Sequence, residues 1–214
     1  MNRILRQTPA TFPTKALRSE VRGNWTVILE YENEAASELH LFDLSHFGRW
    51  DVQDADISRF EPQGVEIPKT PGQSRFHKGL MINRMNRTQA SIWNLNKETP
   101  PLPEDAAYTD TTDATVHLGI LGKGVYSLAE KLTALDFIDM QKKPPFLLQG
   151  PFSHVPAQIV SLNFGNKMGG LLLTCSRGYT TDMVHSILSE GKEFNIAPAG
   201  EDRFLNHLGA ATTT

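Results

Sequence analysis

Residues 24–31 (NWTVILEY) concentrate β-branched and aromatic side chains and predict a strand. Residues 38–52 predict one long strand, or two strands with a bend. Side chains alternate between the faces of a strand, which puts Phe42, Leu44 and His46 on one face and continues it to Trp50 and Val52; Gly48 interrupts the run and marks a bulge or bend. A hairpin is predicted over 79–95, with residues 79–83 and 88–95 flanking the polar turn 84–87. The next strand, 115–121, leads through Gly122-Lys123-Gly124 into a helix. There Val125, Leu128, Ala129, Leu132 and Leu135 form one apolar stripe. Residues 157–164 and 170–175 predict a second hairpin around the turn 165–169. A second helix over 180–189 carries Met183, Val184, Ile187 and Leu188 on one side and stops at Gly191. The predicted fold class is α+β, with antiparallel β-sheets and at least two packed helices.

The intervals between these elements set the expected organisation. Residues 1–22 hold Arg3, Arg6, Lys15, Arg18, Arg22 and two prolines, and read as a basic N-terminal arm, either lying on a partner or frayed. A main domain spans 23–208, with loop over 53–76 and an internal boundary near 96–114, where Pro100, Pro101 and Pro103 cannot continue a ladder or a helix. Another loop carries Pro144, Pro145 and Pro151, and 209–214 read as a disordered tail. No fixed-period repeat is visible.

Composition narrows the classes of function. A formal net charge of −3 over 214 residues makes no overall electrostatic case for nucleic acid or a membrane surface. The single cysteine, Cys175, excludes an internal disulfide and a cysteine-cluster metal site, and its apolar surroundings suggest a buried thiol. No stretch approaches the ~20 apolar residues of a membrane span, and the N-terminus lacks an apolar signal core, so a cytoplasmic protein is expected.

General catalytic motifs are missing: no phosphate-binding loop lysine and no His-Glu-x-x-His. Gly119, Gly122 and Gly124 lie between strand and helix without dinucleotide-binding spacing. The seven histidines form no i,i+4 pair, so surface or core roles suit them better than metal ligation. Lys69, Arg75, His77, Lys78, Arg84 and Arg87 make a locally basic run that suits an anionic ligand, an acidic partner or a solvated face. The segment 41–48 (LFDLSHFG) places Asp, Ser and His within four positions of a β-prone stretch. It suits either a pocket wall or a half-buried strand whose polar groups satisfy local backbone.

That segment resembles the F-D-x-S-H-x-G motif of the glycine-cleavage T-protein (aminomethyltransferase) superfamily, whose members are tetrahydrofolate-dependent one-carbon enzymes and their relatives. Further likenesses follow in order over residues ~38–200. Residues 80–83 resemble the family's M-L-N strand, 118–124 its strand-to-helix step, Pro145-Phe146 its F-P-F turn, 165–169 its T-G-E-L-G turn, and 194–200 its F-G-L-x-P-A-G segment. The resemblance implies a fold like the N-terminal region of a T-protein. Any residual cofactor pocket would be lined by Ser45, His46, Asn83 and Lys167.

The departures bear on chemistry. The catalytic branch carries an aspartate pair after the M-L-N strand, whereas this chain has no carboxylate between Glu66 and Glu98, and Ala90 and Ser91 cannot shuttle a proton as a positioned carboxylate does. Lys167 stands where the family has a pterin-binding Glu, exchanging an acceptor for a donor. The chain also stops soon after P-A-G, without the further β-barrel domain of full T-proteins. Such a relative is most similar to the gamma subunits of heterotetrameric sarcosine oxidases and related N-methyl amino acid oxidoreductases. The resemblance implies a non-catalytic structural subunit with no catalytic residue and no firmly bound cofactor of its own. Its implied partners are larger alpha and beta subunits holding FAD, FMN, NAD and tetrahydrofolate, and a small delta subunit. A stand-alone folate-dependent aminomethyl- or methyltransferase, or a folate-binding module, is the alternative.

Overall fold

The computed structural model describes residues 5–163 and 169–212. Two strands open the chain, β1 (Ala16–Arg22) and β2 (Trp25–Tyr31), paired antiparallel. The turn between them needs left-handed backbone at Gly23 (φ 54°) and Asn24 (φ 71°), which those residue types tolerate. Residues 16–22 of the expected basic arm are therefore a strand. Their charges do not oppose pairing because they meet acids contributed by β2 and by a helix near the C-terminus.

β3 (Leu39–Asp43) and β4 (Arg49–Gln53) follow, separated by a turn over 44–48. They do not form one bent strand with a shared face. β3 enters a six-stranded sheet and β4 a five-stranded one. Phe42 and Leu44 pack between the two sheets, while Trp50 and Val52 pack on the far side of the second. Gly48 is required by close approach: a Cβ there would sit 2.3 Å from the Thr99 side chain.

The five-stranded sheet continues with β5 (Ser74–His77), β6 (Leu80–Arg84), β7 (Gln89–Asn94) and β8 (Tyr108–Asp110), in the order β5-β6-β7-β4-β8. The expected 79–95 hairpin is β6–β7, with Ile82 opposite Ile92. Because β8 pairs with β4, the proline-rich segment 96–114 stays attached to this sheet while leading the chain back to the other.

β9 (Thr115–Gly122) runs into α1 (Val125–Leu132), whose stripe is buried as expected except that Leu135 lies beyond the helix. β10 (Phe146–Phe152), β11 (Val155–Asn163), β12 (Gly169–Ser176), α2 (Thr180–Glu190), β13 (Ala197–Ala199) and α3 (Glu201–Thr212) complete the chain. The six-stranded order is β10-β11-β12-β9-β3-β13, antiparallel except for β13 beside β3. β10 occupies a stretch expected to be loop. Pro151 is tolerated because β10 is an edge strand, where a missing N–H breaks no ladder. Residues 209–212 likewise belong to α3 rather than to a disordered tail.

The layers bury three apolar clusters. α1 and α2 cover one face of the six-stranded sheet through Leu118, Leu128, Leu173 and Ile187. Phe42, Met81, Trp93, Val160 and Leu172 fill the space between the sheets, which α3 closes with Phe204 and Leu208. Ile57, Phe60, Val65 and Ile67 cover the outer face of the five-stranded sheet. The α+β class with antiparallel sheets and packed helices is what the alternation and the helical stripes predict.

Candidate functional site

The turn after β3 is built by its own polar residues. Asp43 Oδ1 accepts the Ser45 backbone N–H at 3.0 Å, which tightens the turn as Asx side chains do. Ser45 is fully buried, and its Oγ accepts the His117 backbone N–H from β9 at 3.2 Å. Arg49, 1% exposed, lies at the start of β4. Its guanidinium donates to four carbonyl oxygens: Ser45 at 3.3 Å, Phe47 at 2.8 Å, Thr112 at 2.5 Å and Thr115 at 2.9 Å. Arginine alone supplies five donors in a fixed fork, so one side chain ties the 44–48 turn to the 112–115 crossing. Burial pulls Arg49 down to about 10, against the opposing pull of Asp43, Asp110 and Asp113. It is charged at neutral pH.

His46 leaves this turn in another direction. Its ring stacks against Phe47 at 4.3 Å, and Nε2 lies 3.4 Å from Glu201 Oε1 at the start of α3. The Glu201 side chain is wholly buried and receives two shorter bonds from Arg22 of β1, at 2.7 and 2.8 Å. Burial pushes the Glu201 carboxyl up, but the hydrogen bonds and charges of His46 and Arg22 together outweigh it and hold it at about 2. A carboxylate so held exchanges no proton near neutral pH and serves as an anchor. Glu34 completes the junction: Oε2 accepts the backbone N–H groups of Tyr31 and Gly200, and Oε1 meets Arg203 at 3.2 Å. The space beside His46, bounded by Thr8, Trp25, Tyr31, Asp43 and Ala199, measures about 10 Å³, the size of a single water.

Asn83 lies elsewhere, buried on β6. Its Oδ1 accepts from Ser74 at 2.7 Å and its Nδ2 makes a long 3.5 Å contact with Ser91, whose hydroxyl reaches Gln158 Oε1 of β11 at 3.3 Å. Ser45, in the turn after β3, and Asn83, on β6 of the other sheet, share no hydrogen-bond partner among the described residues. Lys167, with residues 164–168, lies outside the described residues.

Other sequence candidates resolve into packing. Gly122 has φ 127°, and a Cβ there would sit 1.9 Å from the Glu38 carbonyl oxygen; Gly124, at φ 87°, is the left-handed cap of α1. The glycines thus serve sterics at the strand-to-helix step. In the basic run, Arg84 donates to the Asn86 and Arg87 carbonyls and Arg75 pairs with Glu66. Cys175 is buried, and desolvation raises its thiol to about 11. Among the described residues no group of three or more His, Cys, Asp or Glu is arranged to hold a metal, and no helix is long and apolar enough to cross a membrane. Roomier depressions lie away from these residues, including an apolar groove of about 440 Å³ between Phe12 and the Val184–Leu188 face of α2.

Arg49, Glu201, Glu34 and His117 escape sequence reasoning. Their importance comes from partners up to 179 positions away, as in Arg22–Glu201. One signal was present: Gly200 followed by Glu201 and Asp202 is an acidic helix start.

No protein-family model and no curated protein matches the chain in sequence. Its fold matches a chain of the heterotetrameric sarcosine oxidase from Corynebacterium sp. U-96, solved in complex with pyrrole 2-carboxylate. The TM-score is 0.60 at 14% identity, over 76% of this chain and 93% of that one. The fold is sarcosine-oxidase-like in this sense, and at such identity the likeness establishes the fold alone.

Proposed function

We propose that this chain is a non-catalytic, gamma-like assembly subunit of a heterotetrameric sarcosine oxidase or a related N-methyl amino acid oxidoreductase. In this reading it belongs to the T-protein superfamily. FAD, FMN, NAD and tetrahydrofolate reside in the larger alpha and beta partners, and a small delta subunit completes the complex. The observation that carries the reading is the fold match, which takes in nearly the whole of a chain of such a heterotetramer and leaves part of this chain unmatched, so the matched subunit is the shorter of the two.

The state of the motif residues and their partners supports a structural role. Ser45 spends its hydroxyl on a backbone bond, His46 contacts Glu201, which is locked to Arg22, and apolar side chains fill the space between the sheets. Exposed Ile138 and Met140, at 57% and 96%, add apolar contact surface of the kind subunits bury.

The test is co-expression of the tagged chain with the flavin-binding large subunits encoded in its own genome. The proposal expects a stoichiometric, flavin-bearing complex and loss of complex yield when this chain is left out. A soluble chain that ignores those subunits and binds tetrahydrofolate in a calorimeter would overturn it in favour of the transferase reading.

A further inference from the structure

β1 pairs with β2 along one edge only; its other edge carries no ladder among the described residues. Unpaired edge strands present rows of free N–H and C=O groups, and proteins usually blunt them with proline, charged side chains, bulges or a cover. β1 (ALRSEVR) has no proline, six of its seven residues are exposed, and its three charged side chains, Arg18, Glu20 and Arg22, are drawn into ion pairs within the chain. Its ladder to β2 is irregular between Ala16 and Ser19 and regular from Ser19 to Arg22.

The charges on β1 also have partners within the chain. Arg18 pairs with Glu30 and Asp202, and Arg22 with Glu20 and Glu201. These contacts hold Arg18 and Arg22 toward the start of α3, while Leu17 and Val21 are 53% and 56% exposed. The buried Glu201 anchor fixes the hairpin, so the open edge is presented pre-ordered, which lowers the entropic cost of pairing.

The strand is also complementary to itself. Antiparallel pairing of two copies about Ser19 puts Leu17 against the partner's Val21 and Arg18 against the partner's Glu20, each twice by symmetry. Apolar and opposite-charge cross-strand pairs are the favourable ones in a sheet, and like charges directly opposite are the unfavourable ones. No like-charge pair arises in this register. A two-fold contact of this kind closes on itself and gives a dimer, not a fibre.

We infer that β1 is a self-pairing edge, through which two copies of this chain join their β1–β2 hairpins into one four-stranded sheet with Ser19 on the two-fold axis. The contact is small, so the dimer is weak and concentration-dependent. It does not rest on the heteromeric proposal: copies of a complex could be linked through it, and the full chain alone suffices to test it.

The test uses Ser19→Cys, Leu17→Cys and the double variant Leu17→Lys with Val21→Lys, each checked for wild-type circular dichroism and melting. Only an axial residue meets its own copy within disulfide reach, so mild oxidation should cross-link Ser19→Cys roughly tenfold more than Leu17→Cys. Mixing Leu17→Cys with Val21→Cys should restore the cross-link. The buried Cys175 leaves the wild type as a clean control. Sedimentation should show a dimer that grows with concentration in the wild type and is lost in the double-lysine variant. Failure of Ser19→Cys to cross-link, equal cross-linking of Leu17→Cys alone, or an unchanged dimer in the double-lysine variant would each overturn the inference.

Discussion

Arg22 and Glu201 form a two-bond ion pair, 2.7 and 2.8 Å, between the first strand and the first residue of the last helix. The carboxylate is wholly buried and the arginine is partly open to solvent. Among the described residues, removing the arginine leaves the buried Glu201 charge with only the longer His46 contact. Arg22→Met should therefore cost about 3 kcal/mol in urea unfolding, a figure at the low end for a broken buried pair because the cation side is screened. Arg22→Lys should recover only part of it, since a lysine cannot make the forked contact.

The same pair fixes the direction of an acid effect. Glu201 is held at about 2, below its ordinary 4.5, so the pair's stabilisation is full above the unfolded value and is lost as pH falls through the folded one. Unfolding titrations over roughly pH 5 to pH 2, the window set by those two values, should show a carboxylate-linked slope that Glu201→Gln flattens.

His117 predicts a second slope nearer neutrality. Its ring is fully buried 4.9 Å from Trp93, and among the described residues neither ring nitrogen has a hydrogen-bond partner. Burial first, then the charges of Arg49 and His46, push it well below 6.5. His40 and His207 are also lowered, chiefly by burial. The unfolded chain thus binds protons that the folded chain refuses, and stability falls as pH drops below about 6.5. Replacing the ring with an apolar one, His117→Phe, should reduce this slope by close to one proton in a linkage analysis.

Arg49 should be as sensitive to replacement as Arg22. Arg49→Met strands four carbonyl oxygens at the turn between the sheets, at a cost on the order of 3 kcal/mol. Arg49→Lys should remain destabilised, because an ammonium cannot reach both the 44–48 turn and the 112–115 segment. Thermal melts of the two variants check this.

Gly122→Ala tests the steric account of the glycine cluster. The added Cβ would meet the Glu38 carbonyl at 1.9 Å in a backbone region hostile to L side chains. A loss of about 2 kcal/mol or more is expected from strain of this kind. Gly178→Ala, with open space around its Cβ, serves as the tolerant control.

What was legible in the chain was local. The β6–β7 and β11–β12 hairpins and helices α1 and α2 follow from periodicity within each segment. β1 was hidden because its charges look solvated until α3 supplies their partners. α3 itself carries no large apolar residue besides Phe204, Leu205 and Leu208, and ends in small residues. β10 was masked by Pro151 at a sheet edge. At the site, Ser45 and His46 were visible as a motif, but not that Ser45 secures a β9 amide while His46 turns toward Glu201. Those roles depend on long-range pairing that no single segment encodes.

The most direct measurement of the central claim is the composition and activity of the complex formed by this chain with the flavin-binding subunits of its own genome. The account predicts a stoichiometric assembly whose flavin-dependent oxidation of an N-methyl amino acid survives Ser45→Ala and His46→Ala, provided the variant chain still assembles. A free chain with tetrahydrofolate-dependent transferase activity that these substitutions abolish, with the fold intact by circular dichroism, would contradict it.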